Sequence, residues 1–198
     1  CWEKVWRDLF LSSGFQKPLF LDKLTRQDEA ACIFEGNRCA AMILFRLVDF
    51  RLMDFRRDSY FTEWQGGNLD KLLRHGPRIF VTSYLTVHPE FRNFSPHVKF
   101  KSVLLDIMIK RFLETPADVI SGITRWDRGI NDEVYRLGAE TVSADEDYME
   151  GRFKVDLIAI PKNKAIESPE VHVRALSDRL WKERLDHQIQ TQFPAKAA

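Results

Sequence analysis

The sequence predicts an α/β (α+β) fold built on a mixed sheet, and three observations carry the prediction. Within Ala31 to Phe45, two apolar runs flank Gly36-Asn37 as the arms of a hairpin flank a two-residue turn. The segment Arg78-Ile-Phe-Val-Thr-Ser-Tyr-Leu-Thr-Val87 is dense in β-branched and aromatic residues, the composition of a central strand. After it, Phe100, Val103, Leu104, Ile107, Met108 and Phe112 recur at helical spacing, with Leu105, Ile109 and Leu113 widening the stripe into a largely buried helix. Strands interleaved with helices argue for layered α/β architecture, and the hairpin makes the sheet mixed rather than wholly parallel.

The remaining elements follow in order. Trp2, Val5, Trp6, Leu9 and Phe10 share one helical face, and Gly14 ends that helix. In the hairpin register, Phe34 should face Cys39 and Cys32 should face Ala41, leaving the two cysteines diagonal and poorly placed for a disulfide. From Arg46 to Arg78 the pattern loosens around Gly66-Gly67-Asn68, with short helical candidates at 60–64 and 69–74. That is too long for a plain loop, so an inserted substructure is expected over about 46–78. Asp118 to Thr124 reads as a strand, Glu133 to Leu137 as a short helix stopped by Gly138, and Phe153 to Ile160 as a half-buried strand. The acidic cluster Asp145, Glu146, Asp147 and Glu150 reads as a solvated loop. Ser168-Pro169-Glu170 has the form of a helix start, with serine as N-cap, so a C-terminal helix is expected over about 168–192.

At 198 residues the chain is one domain's worth, read here as a single domain over 1–198. Hydrophobic residues at 44% can build a core, and 30 Lys+Arg against 29 Asp+Glu leave a net charge of +1. That balance lacks the basic footprint of a nucleic-acid partner. The longest strictly apolar run, Cys39 to Phe45, is far too short to span a bilayer. Three cysteines without a CxxC or a Cys/His cluster argue against a disulfide framework and against a metal site. The expected location is cytoplasmic, in a reducing compartment.

Leu85-Thr-Val-His-Pro-Glu-Phe-Arg92, the long apolar helix, a strand, and then Asn131 with Tyr135-Arg-Leu-Gly138 together resemble the core of the Gcn5-related N-acyltransferases. The resemblance covers about Arg78 to Ile160. It implies a mixed, mostly antiparallel sheet with a splayed central strand pair and helices on both faces. It also implies that backbone amides near the end of the Arg78–Val87 strand bind the thioester and pantetheine arm of an acyl donor. In that family a glycine-rich loop, R-x-x-G-x-G/A, then cradles the coenzyme A pyrophosphate at a helix N-terminus. Here Arg92 is followed by Asn93-Phe-Ser-Pro-His-Val-Lys99, without a glycine, and Phe94 and Pro96 would obstruct such a cradle.

The insertion is similar to that of the acyl-homoserine-lactone autoinducer synthases and of the long-chain N-acyl amino acid synthases. Both take acyl groups from acyl carrier protein, whose phosphopantetheine carries no adenosine pyrophosphate. Val81 stands where the lactone synthases have a strand glutamate and Tyr84 where they have arginine, so the amino acid synthases are the nearer match. The resemblance therefore implies an N-acyltransferase using the acyl-phosphopantetheine of acyl carrier protein, with no permanently bound cofactor. A fatty acyl group would pass to an amino acid, possible acceptors including aromatic ones such as tyrosine. A coenzyme A thioester donor, or a non-catalytic acyl-binding module, are the alternatives.

Amide formation from a thioester needs a neutral amine, a placed carbonyl, oxyanion donors and a proton for the leaving thiol. On this reading the backbone N–H groups near Leu85 are the oxyanion donors, His88 is a base of suitable chemistry, and Tyr84 or Tyr135 could protonate the thiolate. Glu35 and Glu90 are further carboxylates. An acceptor carboxylate calls for an arginine fork, with Arg125 beside Trp126 first and Arg128 and Arg46 behind it. Thr82, Ser83 and Thr124 could donate hydrogen bonds in the same cleft, and Phe20 and Phe55 could wall an acyl pocket. Carrier docking needs a local basic face, for which Arg92, Lys99 and Lys101 are the candidates. Each of these side chains also has an ordinary use in packing or on a solvated surface.

Overall fold

The computed structural model describes residues 1–14, 26–93 and 95–186, the side chains of 56 and 57 aside. Helix α1 (Trp2–Ser12) is followed by strands β1 (Glu29–Glu35) and β2 (Arg38–Asp49). Two 3₁₀ turns (Met53–Arg57, Ser59–Glu63) and helix α2 (Asn68–Leu73) lead into β3 (Arg78–Val87). Helix α3 (Phe100–Glu114), β4 (Val119–Arg125), α4 (Ile130–Arg136), β5 (Glu140–Tyr148), β6 (Phe153–Pro161) and α5 (Val171–Lys182) complete the order. The six strands form one sheet in the order β1-β2-β3-β4-β6-β5. Every neighbouring pair is antiparallel except β3 and β4.

Strand alternation sorts the core onto two faces. Phe45, Phe80, Ile120 and Ile158 point to the face covered by α3 and α5, with Val134 and Leu137 from the α4 region. Val48, Ile79, Val81 and Leu157 point to the opposite face, covered by Phe61 and Trp64 of the insertion and by Leu72 of α2. On that same face α1 lies over the far end of β2, burying Trp2 against Met42 and Leu44. Helix α3 is buried over much of its circumference because it is sandwiched between sheet and α5. Two of its buried residues are ionisable. The Asp106 carboxylate accepts bonds from the Ser168 amide and the Ser177 hydroxyl, while Lys110 pairs with Asp178 (2.6 Å) and Glu167 (3.0 Å). Burial alone would lower the Lys110 pKa, but these acidic partners outweigh it and hold the value up.

Several expectations need correction. A bulge between Ile33 and Phe34 leaves Phe34 opposite Cys39 but puts Cys32 opposite Met42 rather than Ala41. Strand β2 runs on to Asp49, so the irregular insertion begins after Asp49 rather than at Arg46. Asp145, Glu146 and Asp147 belong to edge strand β5, not to a loop; their low strand propensity is overridden by pairing with β6, along which the register shifts twice. Helix α5 starts at Val171 with Glu170 as N-cap. Ser168 acts one step earlier, accepting from the Glu170 amide (3.2 Å) while its own amide binds Asp106.

Candidate active site

The site is built by a fork in the sheet. β3 and β4 pair over three rungs only, Ile79 with Val119, Phe80 with Ile120 and Val81 with Ser121. Beyond them, residues 82–87 of β3 stay paired with β2, and 122–125 of β4 stay paired with β6. The two strands part, and their facing edges have no strand partner. The closed end is fastened by Asp118, which accepts from the Arg78 amide (3.0 Å), Nε (3.2 Å) and Nη2 (2.7 Å). The Arg78 guanidinium and amide hold the Asp118 carboxyl below the usual carboxylate range. Thr82 Oγ1, bonded to the Ser121 carbonyl (3.2 Å), is the last tie across the gap.

A bulge in β3 opens the fork. Met42 faces Thr86 and Leu44 faces Ser83, so Tyr84 and Leu85 together oppose Ile43. Tyr84 takes φ +53°, a left-handed conformation that costs a non-glycine residue about 1–2 kcal/mol. Helix α1 stabilises it. The Tyr84 ring stands edge-on to Trp2 (5.6 Å) and Trp6 (5.0 Å). Trp6 Nε1 donates to Thr86 Oγ1 (2.8 Å), which donates in turn to the Tyr84 carbonyl (2.6 Å). A bulge bends its strand and raises its twist, which carries β3 away from β4.

Between the parted strands lies a cleft of about 560 Å³, a size typical of small-molecule sites. Val5, Trp6 and Leu9 of α1 form one wall, and Leu85, Val87 and Phe100 a second. The third comes from Ile123, Thr124, Arg125, Arg128 and Ile130. Among the described residues, five cations line the cleft and Asp8 is the one acid. The cations differ in their engagements. Lys101 Nζ is bound to Glu133 (2.6 Å) and to the Arg128 carbonyl (3.0 Å). Arg125 grips Asp127 through two bonds (2.9 and 2.7 Å) and lies 3.8 Å over the Phe153 ring, and Arg128 shares Asp127. Arg92 reaches only the Val87 carbonyl (3.4 Å), and among the described residues neither Arg92 nor Lys99 has a carboxylate partner.

Of the side chains singled out from sequence, Tyr84, Leu85, Arg92, Lys99, Lys101, Thr124, Arg125 and Arg128 thus converge on one cleft. Others do not line it. His88 stands edge-on to Phe91, with Nδ1 buried and without a hydrogen-bond partner, and the Ser83 hydroxyl is likewise buried and unpaired. Thr82 is spent on the fork tie, and Trp126 donates to Asp156 (2.8 Å). Tyr135 also donates to Asp156 (2.7 Å); burial first, and that carboxylate second, push its phenol pKa up. Phe55 lies beneath Arg46, which is ion-paired with Asp58. Glu35 and Glu90 both pair with Arg38. Phe20 and Phe94 lie outside the described residues. The α1 wall was missed: its helical periodicity was visible, but nothing local tells that Trp6 will meet Thr86. Among the described residues no cluster of three metal-ligating side chains occurs, and no helix is long and apolar enough to cross a membrane.

No protein-family model matches the chain, and no curated protein matches it. Solved structures do. FeeM, an N-acyl amino acid synthase from uncultured soil microbes, superposes with a TM-score of 0.56 at 12% identity, over 82% of this chain and 84% of that one. The ribosomal-protein-S18-alanine N-acetyltransferase from Escherichia coli gives 0.49 at 11% identity, over 79% and 84%. The AHL synthase LasI gives 0.49 at 13% identity, over 69% and 66%. With its forked, mostly antiparallel sheet and helices on both faces, the chain has a Gcn5-related N-acyltransferase-like fold, similar to that of the N-acyl amino acid synthase.

Proposed function

We propose that the protein is an N-acyltransferase that moves a long-chain acyl group from acyl carrier protein to the amine of an amino acid. The observation that carries this is the pair of strand edges that face the cleft with no strand between them. A pantetheine arm has two amides, and an open sheet edge binds such a chain by main-chain hydrogen bonds. Placed so, its thioester carbonyl comes to the bulge in β3, where the backbone N–H of Leu85, a cleft-lining residue, can stabilise the tetrahedral oxyanion. The amine nitrogen bonds to the carbonyl carbon and gives up a proton, the C–S bond breaks, and the leaving thiolate takes a proton from a donor that the nitrogen's proton then replenishes. Tyr84, on the α1 wall of the cleft, is the group we assign to donate it. His88, off the cleft, does not act on substrate directly.

The apolar walls suit an acyl chain, whose burial contributes about 0.8 kcal/mol per CH₂. Arg92 and Lys99, which have no carboxylate partner among the described residues, would meet the arm's phosphate and an acidic carrier; Lys101 is already committed to Glu133. Arg125 can receive an acceptor carboxylate only in competition with Asp127. The test is incubation with acyl carrier protein thioesters of several chain lengths and a mixture of amino acids, read by mass spectrometry. N-acyl amino acids are expected. Their absence from folded protein contradicts the activity, and product from coenzyme A thioesters alone contradicts the donor.

A further inference from the structure

We infer that Asp156 is a positioning residue that sets the β4 wall of the cleft, an inference that rests on the acyltransferase reading. Asp156 lies on β6 directly opposite Thr124 and is 4% exposed. Its carboxylate gathers donors from three elements. Oδ1 accepts from Trp126 Nε1 (2.8 Å), in the turn after β4, and from the Asp145 amide (3.2 Å) of β5; Oδ2 accepts from the Tyr135 hydroxyl (2.7 Å) of α4. Its main-chain carbonyl accepts from Thr124 Oγ1 (3.3 Å). Thr141 donates to the Tyr135 oxygen (3.0 Å), extending the network outward.

These partners bracket one stretch of chain. Residues 123–130 supply that whole wall of the cleft, and α4 begins where they end. Thr124 near the start, Trp126 within the turn and Tyr135 in the following helix are all referenced to Asp156. The opposite constraint comes from Lys101, which binds the Arg128 carbonyl and Glu133 from α3. The spacing between the α3 wall and the β4 wall is therefore held by two anchors, Lys101 on one side and Asp156 on the other. Asp156 is not among the cleft-lining residues and acts only through the residues it holds. Buried carboxylates are tolerated when fully hydrogen-bonded, and such a network restricts its members to one arrangement.

The experiment compares wild type with Asp156→Asn and Trp126→Phe in steady-state acyl transfer from an acyl-pantetheine thioester. The first substitution keeps the side-chain volume and removes the charge; Trp126→Phe removes one donor at a half-exposed residue and leaves the core intact. Both should raise KM for the donor about three- to tenfold with kcat within about twofold, and the double variant should be no worse than the worse single one. A merely structural role would instead leave KM unchanged while kcat falls with the fraction of folded enzyme. Wild-type KM in both single variants, or a fall in kcat alone, overturns the inference while leaving the activity standing. A wild type without binding or turnover of any acyl thioester overturns the acyltransferase reading, and this inference with it.

Discussion

Replacing Gly138 by alanine is expected to lower the stability by about 3–5 kcal/mol, a large share of what a domain of this size possesses. Gly138 closes α4 with φ +95°, and a Cβ there would come within 1.9 Å of the Lys164 carbonyl oxygen and 2.8 Å of its carbon. The obstacle is backbone, so no side-chain rotation relieves it. The turn after β6 would have to move, and with it the bond from the Ile166 amide to the Leu137 carbonyl. Gly36→Ala is the control. Gly36 also has positive φ (59°), but a Cβ would meet nothing within 4 Å, so only the conformational cost of about 1–2 kcal/mol applies. Urea unfolding midpoints of the two variants separate the contact from the dihedral.

The double substitution Arg92→Glu, Lys99→Glu is expected to cut kcat/KM for acyl carrier protein thioesters by about 100-fold or more. Both cations lie at the cleft without acidic partners among the described residues, so reversing them breaks no internal ion pair there and substitutes repulsion for attraction. The same enzyme should lose much less activity towards an acyl thioester of pantetheine lacking phosphate. Raised salt should weaken the wild-type reaction with the carrier protein and leave the small-substrate reaction almost unchanged. Equal losses on both donors would remove Arg92 and Lys99 from carrier docking. Lys101→Glu is a different experiment, since it also breaks the bridge to Glu133.

Local pattern carried the regular elements with buried faces. The strand from Arg78 to Val87 and the helix from Phe100 appear where their composition and periodicity put them, because each satisfies its own backbone and buries a face set by spacing alone. Strand β5 was hidden for the converse reason: its acidic residues disfavour a strand, and only β6 alongside makes it one. The fork was legible through the motif around Leu85 to Arg92 and its resemblance, not through any residue that says two strands must part. Its cause, left-handed Tyr84, leaves no local trace, since a tyrosine seldom adopts that conformation unless distant groups impose it. Here they are Trp2 and Trp6, some 80 positions away in the chain. Likewise, sequence charge could not separate Lys101 from Lys99; the separation comes from Glu133 on α4, which lies beside one and not the other. Asp156 reads in sequence as the polar partner in a half-buried strand, and only the sheet brings Trp126, Tyr135 and Asp145 to it.

The central claim is that the parted edges of β3 and β4 hold the acyl donor's arm. Amide hydrogen exchange, with and without a non-hydrolysable acyl-pantetheine thioether, tests it most directly. In the free protein the amides of 82–87 that face the gap should exchange far faster than those of 79–81. The thioether should then slow exchange in 82–87 and 122–125 together. Slow exchange throughout both segments in the free protein, or protection by the ligand only elsewhere, would contradict the account.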